Sequence, residues 1–217
     1  MRRIILTTIA VAALAGCKSS TTVVKAMDTI GFEKREMLKD RLQEARDAQV
    51  AAKQQLQSAL YTLRRMDTVA PTEMADLHDD LESEVNKTED EIDDLNDNIQ
   101  SVESVAQVMF EDWQEDLAKY EDQQLRQKSQ EELRQTQQNY NAMIAQLKST
   151  HEKLVSLVPA LKDQVLYVEH SINAGVKPQE SEKLDDVREQ VSSLIEELEG
   201  SIDRTQRFIE EETEVAA

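Results

Sequence analysis

Apolar side chains recur along this chain at alternating steps of four and three residues, the spacing of a coiled-coil seam. The first seam reads Leu38, Leu42, Ala45, Gln49, Ala52, Leu56, Ala59, Leu63, Met66. It predicts a helix that starts between Ser20 and Phe32 and ends near Met66. Its alanines suit close approach of a partner helix. The stretch Asp67–Glu73 then breaks the pattern, with Pro71 fitted to the first turn of the next helix and Glu73 to the positive end of its dipole. The second helix keeps one heptad register, with a positions at His78, Val85, Ile92, Ile99, Ala106, Trp113 and Tyr120. Its d positions are Met74, Leu81, Thr88, Leu95, Val102, Met109 and Asp116. From Val102 to Leu117 the stripe widens through Val105, Val108 and Phe110, which implies more than one neighbour.

A further seam runs Leu133, Gln137, Tyr140, Ile144, Leu147, His151, Leu154, Val158, Leu161, Val165, Val168, Ile172. It is three residues out of register with the second helix, and the slip falls within 121–132. Ser129 and Glu132 form a capping box before Leu133, and Arg126 and Lys128 suit a helix C-terminus, so a turn is expected near 126–129. The alternative is one unbroken helix from 72 to 173. Pro159 sits inside the seam and is expected to kink the helix rather than break it. Gly175 is the expected C′ residue, and Pro178 opens a last helix carrying Leu184, Val187, Val191, Leu194, Leu198, Thr205 and Phe208, broadened by Ile195, Ile202 and Ile209.

Composition agrees. With 4 glycines, 3 prolines and 4% aromatics in 217 residues, the turns and side chains of a β fold are missing. The expected fold is all-α, an elongated antiparallel bundle of about four long helices, with an extended rod around one very long central helix as the alternative. Charge refines this. Residues 27–67, 71–122, 123–173 and 178–214 carry net charges of +1, −17, +1 and −9. In an up-down-up-down bundle the two acidic helices fall on a diagonal, each flanked by near-neutral ones.

The first twenty residues follow a different rule. Arg2 and Arg3 precede an apolar run of 11 residues, Ile4 to Leu14, too short to span a bilayer but of the length found in secretory leaders. Then come Ala15, Gly16 and the single cysteine, Cys17. Leu14-Ala15-Gly16-Cys17 closely resembles the lipobox of bacterial lipoproteins. The resemblance implies cleavage before Cys17, a diacylglyceryl group on its thiol and an acylated amino terminus, an effectively permanent anchor. By the common sorting rule, Lys18 rather than aspartate after the cysteine points to the outer more than the inner membrane. The expected organisation is a leader over 1–16, a lipidated terminus and tether over 17–26, and a helical domain over 27–214. With one cysteine there is no intrachain disulfide. Residues 1–16 hold two arginines and no acid, so without them the charge of −19 becomes −21, which repels nucleic acid.

Catalytic chemistry is not discernible. The stretch from Asp94 to Val105 has the acids of a calcium loop, but Ile99 stands where glycine is needed and Val105 where the bidentate glutamate is needed. His78, His151 and His170 fall in no metal-binding spacing; the first two are read as polar register residues at a positions. Neither a nucleophile–base set nor a phosphate loop is present, so no enzyme, cofactor or metal is expected. Met109, Phe110, Trp113 and Tyr120 are read as core, with a lipid pocket as the rival. The chain ends Val215-Ala216-Ala217, without the terminal lysine by which the major outer-membrane lipoprotein joins peptidoglycan. As a whole, lipobox followed by acidic coiled coil, the chain resembles a family of uncharacterised Gram-negative lipoproteins with a domain of unknown function. The expected role is a non-enzymatic, periplasm-facing envelope lipoprotein, a structural or adaptor element that presents acidic helical surfaces to a protein partner. A carrier of lipid or another apolar ligand is the alternative. The partner's identity is not fixed by the sequence, and a homo-oligomer is a further possibility.

Overall fold

Four helices account for nearly all of the chain described in a computed structural model, residues 31–177 and 182–215. They are α1 (Gly31–Arg65), α2 (Met74–Asp116), α3 (Gln123–Asn173) and α4 (Glu182–Val215). At 1.5 Å per residue they are roughly 50–75 Å long. The expected leader, Cys17, the 17–26 tether and Pro178 lie outside the described residues. Among the described residues no helix is long and apolar enough to cross a membrane.

Neighbours in sequence are neighbours in space, and α1 also packs on α4, closing a ring of four. Every contact is antiparallel. Along α1–α2, Arg65 meets Asp80 and Lys34 meets Asp112. Along α2–α3, Lys162 meets Glu89 and Lys148 meets Glu103. Along α3–α4, Lys153 meets Glu197, and along α1–α4, Lys53 meets Glu199. The architecture is therefore the all-α antiparallel bundle, with acidic α2 and α4 on a diagonal. The rod is excluded, because α3 folds back along α2.

The seams explain why. Every position of the first seam is buried, from Leu38 to Met66. The α4 seam is buried at each expected position and gains Ser201, at 1% exposure. In α3 one half of the seam, Leu133, Tyr140, Leu147, Leu154, Leu161 and Val168, is buried as expected. In the other half Ile144 is buried as expected, and beyond it the stripe shifts by one residue. Thr150, Leu157, Gln164 and Ser171 are buried, whereas His151, Val158, Val165 and Ile172 are half-buried. A helix that touches two neighbours buries a stripe wider than a two-stranded seam, and both members of each adjacent pair share it.

The turn between α2 and α3 differs from the one expected at 126–129. A 3-10 turn over Leu117–Lys119 ends α2, and Asp122 starts α3. The Asp122 carboxylate accepts N–H bonds from Gln124 at 2.7 Å and Leu125 at 3.3 Å, which is N-cap geometry. Ser129 is not a cap. It lies inside α3 and accepts a hydrogen bond from the Trp113 indole N–H at 2.9 Å. Arg126 and Lys128 sit at the start of a helix, not at the end of one. Tyr120, expected at a seam position, is in the turn and 42% exposed, while Leu117 is buried in its stead.

At the other end the expected signals hold. Pro71 and Glu73 form a 3-10 turn that leads into α2. Gly175 takes φ 68°, and the N–H groups of Gly175 and Val176 bond the carbonyls of Ile172 and Ser171, both at 3.0 Å, a Schellman ending. Helix α3 runs through Pro159, whose ring is on the solvent side.

One polar layer interrupts the α1–α4 seam. Gln49, Ser201 and Thr205 are all at most 1% exposed. The Gln49 amide donates to Ser201 Oγ at 2.7 Å, and the Thr205 hydroxyl donates to Gln49 Oε1 at 3.2 Å. The layer satisfies itself only when α1 and α4 sit in this register, which makes it a register pin.

Two outcomes check the packing. Ile92→Asp puts an unpaired charge at a position 4% exposed and should cost about 3–5 kcal/mol, whereas Asp93→Asn on the solvent face should change stability by less than about 0.5 kcal/mol. Chemical denaturation measures both, and equal effects contradict the register. Gln49→Ala should cost about 1–3 kcal/mol by stranding its buried partners, and Gln49→Leu with Ser201→Ala and Thr205→Val should recover much of that.

Candidate functional site

Two features stand out from the general packing: the aromatic end of the bundle and the acidic outer faces. The first lies where α1 begins. Phe110 of α2 meets Tyr140 of α3 edge-on, ring centroids 5.4 Å apart, and Tyr140 leans on Phe208 of α4 at 6.4 Å. Met109 is buried beside them on α2. Trp113, half-buried, is held on both sides, by its bond to Ser129 and by the Arg35 guanidinium 4.3 Å above the ring. The last is a cation–π contact. Lys34 pairs with Asp112 beside it. Four helices are thus tied together by side chains whose partners come from different parts of the sequence.

This cluster gathers three of the four residues read as core, Met109, Phe110 and Trp113; the fourth, Tyr120, is exposed in the α2–α3 turn instead. Tyr140 and Phe208 were legible only as seam positions. Burial pushes the Tyr140 phenol well above its ordinary value of 10.0, and the negative charge of Glu103 pushes it the same way. The phenol stays protonated and serves as packing surface.

The second feature is electrostatic. Asp76, Asp79, Glu82, Asp90, Asp93 and Asp97 are exposed along α2. Lysines and arginines of the near-neutral helices pair with the flanks of the acidic ones, leaving the outermost carboxylates toward solvent. Such exposed pairs contribute little energy each, about 0–1 kcal/mol. Their effect is to keep the acid ridges on the outside. The segment from Asp94 to Val105 is ordinary α2 helix, with Ile99 and Val105 buried in the core. Among the described residues no group of three His, Cys, Asp or Glu could hold a metal. His78 is half-buried beside Asp79, at 3.3 Å, His151 is half-buried and His170 is exposed.

At the far end Arg188 of α4 was not singled out from the sequence. Its guanidinium donates to the Leu63 carbonyl at 2.7 Å, to Asp67 at 2.8 Å and to Asp185 at 3.1 Å. Lys177 donates to the Asp67 carbonyl at 2.7 Å. The α1–α2 turn is clasped to the start of α4. An open groove beside it, on the outer face of α1 and α2, is lined by Gln54, Gln57, Tyr61, Arg65, Asp80 and Glu84, all polar or amphipathic.

Residues 24–212 match the model of a family described as a protein of unknown function, DUF2959. No curated protein and no solved structure matches the chain.

The Tyr140 environment carries a pH dependence. A phenol whose folded-state value is raised stabilises the fold fully below its unfolded value, near 10, and loses that contribution as pH rises beyond it. Stability should therefore fall above pH 10 in the natural chain and fall less in Tyr140→Phe. Alkaline denaturation followed by helicity measures the difference; parallel curves mean the phenol is not desolvated.

Proposed function

We propose that this chain, which belongs to the DUF2959 family, is a lipid-anchored protein of the bacterial envelope. In this reading Cys17 carries the lipid, and the bundle faces the periplasm from the outer membrane. Its role is non-enzymatic. The bundle is a rigid adaptor whose acidic ridges, α2 above all, receive a basic surface of an envelope protein. The observation that carries the anchor is the four-residue match Leu14-Ala15-Gly16-Cys17 behind a basic, apolar leader. The adaptor role is supported by the charge layout, −17 on one helix and −9 on its diagonal partner, with the flanks paired and the ridges free of covering segments among the described residues. A carrier of apolar ligand is less well supported. The stripe that such a ligand would use is filled by the mutual ring contacts of Phe110, Tyr140 and Phe208.

Cys17→Ala should abolish acyl incorporation and block normal processing. The same chain behind a soluble-secretion leader should leave the membrane fraction, measured by fractionation and mass spectrometry. Retention in the membrane contradicts the anchor. For the adaptor, crosslinking in cells followed by affinity capture should recover a partner that is lost when Asp90, Asp93 and Asp97 are changed to lysine. Capture unchanged by that reversal contradicts the acidic surface as the contact.

A further inference from the structure

The α2–α3 turn combines exposed apolar side chains with basic ones at the end of the bundle where α1 begins. Tyr120, in the turn, is 42% exposed, and Leu125, in the first turn of α3, is 54% exposed. Close to them in sequence are Lys119 and Lys128, which pair with Asp116 and Glu132 at the surface with side chains 76% and 75% exposed, and the exposed Arg126. Residues 117–128 hold three basic and two acidic side chains in a chain of net charge −19. Aromatic and aliphatic side chains beside lysine and arginine are the composition of segments that settle at a membrane interface.

Its position in the fold gives the occupant. Lys34 and Arg35, in the first turns of α1, pair with Asp112 and Trp113 near the end of α2. Helix α2 then continues to Asp116 and the 3-10 turn before the chain reverses. The turn is thus at the end where α1 enters. Thirteen residues separate Cys17 from Gly31. Fully extended they reach at most about 50 Å. The opposite end of the bundle lies roughly 50 Å of α1 from Gly31, so the tether reaches it only when drawn straight back along the helix. An anchor at Cys17 reaches the near end with slack and so favours this end toward the bilayer.

We infer that the α2–α3 tip, Tyr120 and Leu125 with Lys119, Arg126 and Lys128, rests on a zwitterionic phospholipid surface. The inference rests on the anchored reading above. Tyr120 and Leu125 enter the headgroup layer, and Arg126 meets lipid phosphates, joined by Lys119 and Lys128 as they exchange their exposed pairs with Asp116 and Glu132 for phosphate. The strong overall negative charge works against anionic lipid, and Glu121 and Asp122 in the tip suit headgroups that carry an ammonium. Contact at the tip as well as at the lipid gives the bundle two points of support, so it stands at a fixed angle to the membrane instead of swinging on its tether.

The test uses the lipidated full chain in vesicles of phosphatidylethanolamine and phosphatidylcholine. Lipidation blocks the only native thiol, so one added cysteine takes the probe alone. A polarity-sensitive dye goes on Gln127→Cys in the tip, or on Val176→Cys, which is exposed at the opposite end. Quenching by nitroxide-bearing lipids should be about threefold or more greater at 127 than at 176. Adding Tyr120→Ser with Leu125→Ser should bring position 127 down to the level of 176, at unchanged helicity. Equal quenching at the two sites on a chain that sediments with the vesicles overturns the tip contact and leaves the anchor. Strong quenching at 127 that survives the double substitution also overturns it, since the dye and not the apolar pair then makes the contact. A chain that does not sediment overturns the anchored reading and the tip with it.

Discussion

Each of these helices has one apolar stripe and a charged remainder, and that stripe has nowhere to be buried except against the stripes of its neighbours. A Leu such as Leu56, Leu95, Leu154 or Leu198, each fully enclosed, contributes about 1.5–3 kcal/mol when it leaves water. An isolated helix exposes it. Pairing two helices covers only part of the wider stripes of α2 and α3, and closing the ring with α1 on α4 covers the rest. Helix length, antiparallel order and the absence of any strand among the described residues all follow from this one requirement.

Charge then selects among the ways of meeting it. Bundles of four antiparallel helices can be wound so that any pair lies on the diagonal only within the limits of short turns. Here the chain order places +1 beside −17 and −9 at every contact. Lys162 with Glu89, Lys148 with Glu103, Lys153 with Glu197 and Lys53 with Glu199 are the local expression of that arrangement. None is strong alone. Together they mark the only neighbour order in which no two acidic helices adjoin. The buried layer of Gln49, Ser201 and Thr205 adds what charge and leucines leave loose, the axial register of α1 on α4.

How far the sequence reveals this fold depends on how local the deciding interaction is. The seams of α1 and α4 are legible residue by residue because heptad spacing is a property of the chain itself. The Schellman ending at Gly175 is legible because positive φ demands glycine. The α2–α3 turn is misread because a local signature lost to a tertiary one. Ser129 and Glu132 have the spacing of a capping box, but Ser129 is claimed by Trp113, sixteen positions earlier, and Asp122 caps the helix without glycine or proline nearby. The half-seam of α3 slips by one residue for a related reason: a two-stranded template was applied to a helix with two neighbours. Arg188 is by sequence one of a few cations in an acidic helix, and only the fold brings the Leu63 carbonyl and Asp67 to it. Cys17, the one residue with assigned chemistry, lies outside the described residues, so its role still rests on the lipobox pattern alone.

The two ends of the bundle differ in a way that bears on what an anchored rod of this kind can do. At the far end, Arg188 and Lys177 fasten the α1–α2 turn to α4 and the α3–α4 connection, so three chain segments converge on Asp67 and its neighbours. At the near end the fastening is aromatic, through Trp113, Phe110, Tyr140 and Phe208. A bundle closed at both ends transmits a push or a tilt along its whole length, because no single helix can slide without breaking a clasp or the Gln49 layer. An acidic ridge on such a body keeps its carboxylates at fixed spacings. Recognition by a basic partner then costs little ordering entropy, since the charges are already in place before the encounter.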